Sequence, residues 1–120
     1  MPSGLGAFGE SWAVAYLARR GYRILDRNVR FRRGEIDIVA SEGGELVFVE
    51  VKTRRSSVYG RPEESITRRR YEHLAAAVAE YVARSETAVG EFRVDVVAIE
   101  VDATGRVARC ELFKAVQCPE

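Results

Sequence analysis

Residues 46–51, which read LVFVEV, constrain the fold more than any other segment of the chain. Five of these six residues are apolar, and successive side chains of a strand point to opposite faces of a sheet. A strand that is apolar on both faces has to be covered on both. We therefore predict a central strand here. Its one charged residue, Glu50, is of the kind that usually marks a site.

Apolar periodicity along the rest of the chain predicts two helices and four further strands. The predicted elements are a helix over 7–20, strands over 22–31, 36–40 and 46–51, a helix over about 65–84, and strands over 92–101 and 107–116. A turn at Gly43 and Gly44 makes the second and third strands a hairpin. This order, α-β-β-β-α-β-β, predicts an α/β three-layer sandwich with a central mixed β-sheet flanked by helices.

Two details of this prediction concern buried side chains. The apolar stripe of the first helix is predicted to consist of Phe8, Trp12, Ala15 and Tyr16, with Ala13 and Leu17 beside it. Asp95 stands among valines in the strand over 92–101. We predict that Asp95 is structural and pairs with Arg93 or a neighbouring arginine.

Length and composition agree with one domain over residues 1–120, with 117–120 as a short tail. The chain is 47% apolar and 31% charged, and no stretch approaches the roughly 18 apolar residues of a membrane-spanning helix. The N-terminal residues lack the basic and apolar segments of a secretion signal. Cys110 and Cys118 have no metal-site or disulfide-framework spacing. We therefore expect a cytoplasmic protein without a membrane partner.

Two carboxylates meet across the predicted hairpin. If Gly43 and Gly44 are the turn residues, the register puts Asp37 directly opposite Glu50, with Cβ atoms about 4.5–5.5 Å apart. Buried carboxylates at that distance repel each other unless a cation or a proton lies between them. We predict a divalent cation, Mg²⁺ or Mn²⁺, with Asp37, Glu50 and the Val51 carbonyl as its oxygen ligands.

The same register puts Glu35 opposite Lys52, on the face that carries the acid pair. Lys52 and Lys114 are the only lysines among 19 basic residues. We predict that the Lys52 ammonium orients a water or stabilises charge that develops on a phosphodiester. The alternative is an exposed sheet face with two salt bridges, in which one of the glutamates binds Lys52 and an arginine binds Asp37.

Basic charge is concentrated in the first part of the chain. Residues 1–70 contain 14 Lys or Arg against 9 Asp or Glu, whereas residues 71–120 contain 5 against 9. This excess suits a phosphate backbone, so we predict nucleic acid, expected to be DNA, as the partner. An ordinary solvated surface is the alternative. The predicted contacts from this excess are Arg30, Arg32, Arg33, Arg54 and Arg55.

Five segments in order resemble one known family. They are GESWAVAYLARRGYRILDRNVR, GEIDIVA, LVFVEVKTR, ITRRRYEHLAAAVAEYV and FRVDVVAI, and together they span about residues 6–100. The chain closely resembles the YraN family of small bacterial proteins, which are similar to archaeal Holliday-junction resolvases and to the PD-(D/E)xK nucleases. The resemblance implies a restriction-endonuclease-like sandwich.

Site residues follow from the resemblance position by position. Asp37 matches the first metal-binding acid of that fold, Glu50 the second, and Lys52 the lysine of the (D/E)xK element. Glu10 matches the first-helix glutamate that resolvases have beside the metal. From the residues alone, Glu10 is equally a surface glutamate.

Arg70 stands where the fold often has a glutamine or lysine at the start of the second helix, so the resemblance implies that it contacts the phosphate of nucleic acid. The alternative for Arg70 is a solvated arginine in the first turn of the helix. Ile36 stands where the name of the fold has proline.

The expected function is that of a Mg²⁺- or Mn²⁺-dependent endonuclease that hydrolyses DNA phosphodiesters, at branched or junction DNA. The alternative is a catalytically silent nucleic-acid-binding accessory protein on the same fold. A third reading is an interaction module whose acidic part, residues 71–120, binds a basic partner. By analogy with resolvases, a homodimer is expected.

Overall fold

The fold is known from a computed structural model that describes residues 4–56, 66–86 and 90–119. Its elements are α1 (Leu5–Arg19), β1 (Arg23–Phe31), β2 (Gly34–Glu42), β3 (Glu45–Arg55), α2 (Arg68–Arg84), β4 (Phe92–Val101) and β5 (Val107–Phe113). The predicted order of elements is confirmed. β5 ends at Phe113, three residues before the predicted end, and residue 65, the predicted start of the second helix, lies outside the described residues.

The five strands form one sheet in the order β1-β2-β3-β4-β5. β3 and β4 are parallel, with α2 between them in the sequence, and the other neighbours are antiparallel. A parallel pair needs a crossover connection of this kind, because a tight turn cannot join two strands that run in the same direction. β3 lies at the centre of the sheet, as its apolar sequence predicts.

Each face of the sheet is covered by one helix, which makes the predicted three-layer α/β sandwich. Leu17 of α1 belongs to a buried cluster with Val49 on one face, and Leu74 of α2 belongs to a second cluster with Phe48 on the other. Consecutive residues of β3 thus point into different cores. Each fully buried side chain of this size contributes roughly 1.5–3 kcal/mol. Among the described residues, neither helix has the length and the apolar run that crossing a membrane requires.

The buried face of α1 differs from the predicted stripe. Phe8 is 40% exposed, whereas Gly9, Ala13 and Leu17 are buried. The reason is the short distance between α1 and β3, since a Cβ atom on Gly9 would lie 1.7 Å from Oγ1 of Thr53. Only small residues fit at such a contact, so the large aromatic side chains lie at its flanks.

A charged cluster joins the hairpin to β4 at the far end of the sheet. Arg93 binds Glu42, Glu45 and Asp95. The fully buried Asp95 also accepts a hydrogen bond of 2.7 Å from the Tyr22 hydroxyl. The prediction that Asp95 is structural and pairs with Arg93 is therefore confirmed.

The close approach of α1 predicts opposite effects for two alanine substitutions in one helix. Gly9→Ala should lower the free energy of unfolding by about 1–3 kcal/mol, because the added Cβ overlaps Thr53. Gly6→Ala should raise it by about 0.5–1 kcal/mol, since nothing lies within 4 Å of its added Cβ and alanine favours a helix. Urea denaturation measures both. Equal effects at the two positions would contradict the packing described for α1.

Candidate functional site

The pairing of β2 with β3 stops just before the acid pair. The ladder joins residues 38–42 to residues 45–49 in the register that the glycine turn predicts. Asp37 and Glu50 lie beyond its last pair, so they are not the ladder partners that the sequence predicts. Instead, Oδ2 of Asp37 accepts a hydrogen bond of 2.8 Å from the Val51 N–H. The carboxylate takes the role of a backbone carbonyl and satisfies a donor that the separated strands leave unpaired.

The same part of the sheet is irregular in β1 and β2. Ile36 packs in the α2 cluster and Ile38 in the α1 cluster, although residues two apart in a regular strand share a face. Opposite this point in β1, Asn28 has a φ of 51°, in the left-handed region that asparagine tolerates better than most residues. The break in alternation lies at Asp37, whose side chain is thereby directed towards β3.

Asp37 and Glu50 form an acid pair in spite of the interrupted ladder. Glu50 is only 5% exposed, and Asp37 is half-buried. Burial raises the pKa of the Glu50 carboxyl to about 7, the bond from Arg70 opposes this rise, and the negative charge of Asp37 adds to it. Burial also raises the pKa of the Asp37 carboxyl, against the bond from the Val51 N–H. The two carboxyls are therefore close enough to influence each other.

Arg70 supplies the positive charge that the acid pair requires. Its Nε lies 2.6 Å from Oε2 of Glu50 and its Nη2 lies 2.8 Å from Oε1, so the guanidinium binds both oxygens. Arg70 also lies 3.8 Å from Glu35. The alternative of a solvated arginine at this position is wrong. Thr67 caps the helix by accepting a hydrogen bond from the Arg70 N–H, which fixes where this side chain leaves α2.

Glu10 is buried beside the acid pair. It is 6% exposed, and its Oε1 accepts hydrogen bonds from Asn28 at 2.9 Å and from Arg27 at 3.3 Å. The surface alternative for Glu10 is therefore wrong. Burial raises the pKa of the Glu10 carboxyl, the bond from Arg27 lowers it, and the charge of Asp37 raises it again. Glu10 and Asp37 are close enough to influence each other.

Sequence analysis missed Arg27 and Asn28, the two partners of Glu10. A signal for Asn28 was available, since the apolar alternation of the predicted strand over 22–31 is imperfect and asparagine is common where a backbone turns left-handed. Arg27 had no comparable signal, because it is one arginine among several in an exposed edge strand.

Lys52 lies at an open cavity of about 230 Å³ that Glu10, Asp37 and Val51 also line. Its side chain is exposed, and within the described residues its ammonium has no hydrogen bond or ion pair. The predicted salt-bridge alternative, in which a glutamate binds Lys52, is wrong in this part of the chain. Glu50 binds Arg70 instead, and Glu35 binds Arg30 at 3.5 Å.

The donor set fits a hard divalent cation with two protein carboxylates. Mg²⁺ keeps several waters and takes one or two carboxylates from the protein, and Asp37 and Glu50 are two carboxylates close enough to influence each other's pKa. In the described part of the chain, no three His, Cys, Asp or Glu side chains are grouped as ready ligands. The role of Glu10 beside the metal and that of the Val51 carbonyl as a ligand stay predictions.

The arginines predicted to contact nucleic acid differ in their surroundings. Arg30, Arg32, Arg33 and Arg70 line a second cavity of about 380 Å³, which shares Arg30 and Glu35 with the first. Arg54 does not fit the prediction, because its side chain is only 13% exposed and binds Glu100 of β4 at 3.2 Å. Arg55 is exposed, and its contact with nucleic acid stays a prediction.

Together, the fold and the site define a three-layer α/β protein. Its acid pair lies where the two central strands β2 and β3 separate, beside a cavity that Lys52 lines. The chain belongs to the uncharacterised protein family UPF0102, whose model matches residues 9–99. The predicted resemblance to YraN-like proteins is thereby confirmed.

Several curated proteins are similar to this chain over most of its length. A UPF0102 protein of Symbiobacterium thermophilum is 47% identical over 110 residues, which cover 92% of this chain and 92% of the relative. A relative from Chlorobaculum parvum is 50% identical over 98 residues, 82% of this chain and 76% of its own. A third, from Moorella thermoacetica, is 47% identical over 109 residues, 91% of each chain.

The raised pKa of Glu50 predicts a pH-dependent loss of stability. The folded protein holds this proton more tightly than the unfolded chain, so the free energy of unfolding falls as the pH rises from 4.5 towards about 7. Glu50→Gln removes the titrating group, and the wild type should therefore lose stability relative to this variant across that window. Urea denaturation in EDTA at several pH values measures the difference.

Glu91→Gln is the matched control, because Glu91 is exposed and lies at the start of the β4 region, away from the acid pair. Only the difference between the two variants is attributed to the acid pair. If the wild type and Glu50→Gln respond to pH in parallel, the acid pair does not carry the buried charge described above.

Proposed function

We propose that this protein is a nuclease that uses a divalent cation, Mg²⁺ or Mn²⁺, to hydrolyse phosphodiester bonds in nucleic acid, with DNA as the expected substrate. The observation that carries the proposal is the pair of Asp37 and Glu50 carboxylates next to a cavity that Asp37, Glu10 and the exposed Lys52 line. Membership of an uncharacterised family is compatible with this activity and does not assign it.

Asp37 and Glu50 would hold the cation through their carboxylate oxygens, with the Val51 carbonyl as a predicted third ligand. A cation bound there would supply a Lewis acid, which polarises a phosphodiester and lowers the pKa of a water. The Val51 N–H holds the Asp37 carboxylate in position. Asn28 and Arg27 do the same for Glu10, which stands beside the pair as a further acid able to bind a water.

Lys52 faces the reacting phosphate in this proposal. Its ammonium is free of partners among the described residues and lines the same cavity as Asp37. A positive charge at that position stabilises negative charge as it develops on the phosphate in the transition state.

The basic residues beside the acid pair would bind the phosphate backbone of the substrate. Arg32 and Arg33, in the turn between β1 and β2, are exposed, and they line the cavity that adjoins the acid site. Phosphate contacts of this kind position a nucleic acid without selecting its sequence. Recognition of branched DNA, and a homodimer that would enlarge the basic surface, belong to the same proposal.

One observation favours the accessory protein as the second candidate. Both oxygens of Glu50 are bound by Arg70, so the acid pair is stable without any metal. In that case the arginines around the second cavity would bind nucleic acid, and the acid pair would serve only to fix α2 on the sheet.

A cleavage assay separates the two candidates. Labelled four-way junction, flap, duplex and single-stranded DNA are incubated with the protein in Mn²⁺ and in EDTA. The nuclease proposal predicts cleavage in Mn²⁺ that EDTA abolishes and that an identically purified Glu50→Gln variant lacks. Binding of DNA without cleavage in Mn²⁺ or Mg²⁺ would instead support the accessory protein.

The two lysines of the chain provide a matched pair of variants. Lys52→Ala should lower the rate of cleavage about 10²–10³-fold, the usual loss for one group that stabilises developing charge. Lys114→Ala should cleave at the wild-type rate, because Lys114 binds Glu42 at the far end of the sheet. Single-turnover rates at saturating DNA measure both. Equal rates for the two variants would remove Lys52 from the proposed chemistry.

A further inference from the structure

Arg70 binds the carboxylate of Glu50, which the proposed cation also requires as a ligand. Its guanidinium binds both oxygens of Glu50, at 2.6 and 2.8 Å, and charge-assisted bonds of this two-pronged kind are among the strongest in proteins. Glu50 is 5% exposed. Water therefore gives this salt bridge little competition, unlike a salt bridge on the surface.

The position of Arg70 in α2 is unfavourable for a positive charge. The first turn of the helix contains no acidic residue and consists of three arginines, Arg68, Arg69 and Arg70. Positive side chains are disfavoured at a helix N-terminus, where the helix dipole is positive. Arg68 reaches Glu72 on its own helix, whereas Arg70 crosses to the sheet. The unfavourable position is thus compensated by the buried acid.

A carboxylate that binds one guanidinium through both oxygens has fewer lone pairs left to offer a second cation. Two cations at the same carboxylate would also repel each other in a site with little water. Arg70 and a divalent cation therefore compete for Glu50.

We propose that Arg70 competes with divalent cations for the Glu50 carboxylate. The salt bridge would prevent a cation from binding to the acid pair until an oxyanion of the substrate binds the guanidinium instead. This inference rests on the proposed metal site. Arg70 already lines the basic cavity formed with Arg32 and Arg33, and its side chain is 27% exposed. A phosphate bound in that cavity offers the guanidinium a second partner. Cation and oxyanion then promote each other's binding, because coupling between two sites is reciprocal.

Calorimetric titration with Mn²⁺ alone, at pH 8 and without DNA, tests the competition. Arg70→Gln should bind Mn²⁺ at least about tenfold more tightly than the wild type. Arg69→Gln is the matched control, because it removes the same charge from the same helical turn at an exposed residue, and its dissociation constant should stay within about twofold of the wild type. Circular dichroism verifies that each variant is folded, and Arg70→Met, which keeps an unbranched side chain without the charge, replaces Arg70→Gln if the latter is not.

Sulfate tests the second half of the proposal. At constant ionic strength, replacing chloride by sulfate should tighten Mn²⁺ binding to the wild type, since sulfate offers Arg70 another partner. The same replacement should have no such effect on Arg70→Gln, which also controls for pairing between Mn²⁺ and sulfate in solution.

The outcomes separate this inference from the function on which it rests. If Mn²⁺ binds the wild type and Arg70→Gln equally, or binds Arg70→Gln more weakly, the competition is refuted while the metal site stands. Equal tightening in Arg69→Gln and Arg70→Gln would also refute it, because net charge would then be the cause. If neither the wild type nor any arginine variant binds Mn²⁺, the metal site itself is refuted.

Discussion

The compensation of charge at Glu50 is the interaction on which the rest of the structure depends. A carboxylate in the middle of a central strand has lost most of its water, so it needs a proton or a cation. Arg70 provides the cation from α2, and this contact ties the second helix to the sheet at the same point where the chemistry is proposed. Removing one partner of a buried pair typically costs about 3–5 kcal/mol. The salt bridge that stabilises the fold therefore includes Glu50, a ligand of the proposed metal site.

Two glycines bring both helices close to this region of the sheet. Gly9 lets α1 approach β3 and sets Glu10, the next residue, against the acid pair. On the other face, a Cβ atom on Gly34 would lie 2.1 Å from the backbone oxygen of His73 in α2. Close packing on both faces limits how far the backbones that carry the acids and Arg70 can move. The site is thus fixed by backbone contacts as much as by side-chain bonds.

The sequence predicts the architecture because its signals are local and strong. The doubly apolar strand identifies β3 as central, and the turn at Gly43 and Gly44 determines the register of the hairpin as far as Ile38. The same signals also bring Asp37 and Glu50 together. They fail at the next step, because the strands separate at Asp37 and the regular alternation stops there. A pattern of period two cannot indicate where a sheet opens.

The remaining errors come from contacts that are distant in sequence. Arg70 and Glu50 are 20 residues apart, and nothing in a run of three arginines distinguishes the one that reaches the sheet. The buried face of α1 was displaced from the predicted stripe for a similar reason. The depth at which a helix packs depends on its partner strand, here at Thr53, and a count of apolar residues does not contain that information.

Anomalous X-ray scattering from crystals grown with Mn²⁺ would locate the proposed cation. We predict a manganese peak between the carboxylates of Asp37 and Glu50, with the Arg70 guanidinium no longer bound to both oxygens of Glu50. Crystals at saturating Mn²⁺ in which the salt bridge is intact and the acid pair carries no manganese would contradict this prediction.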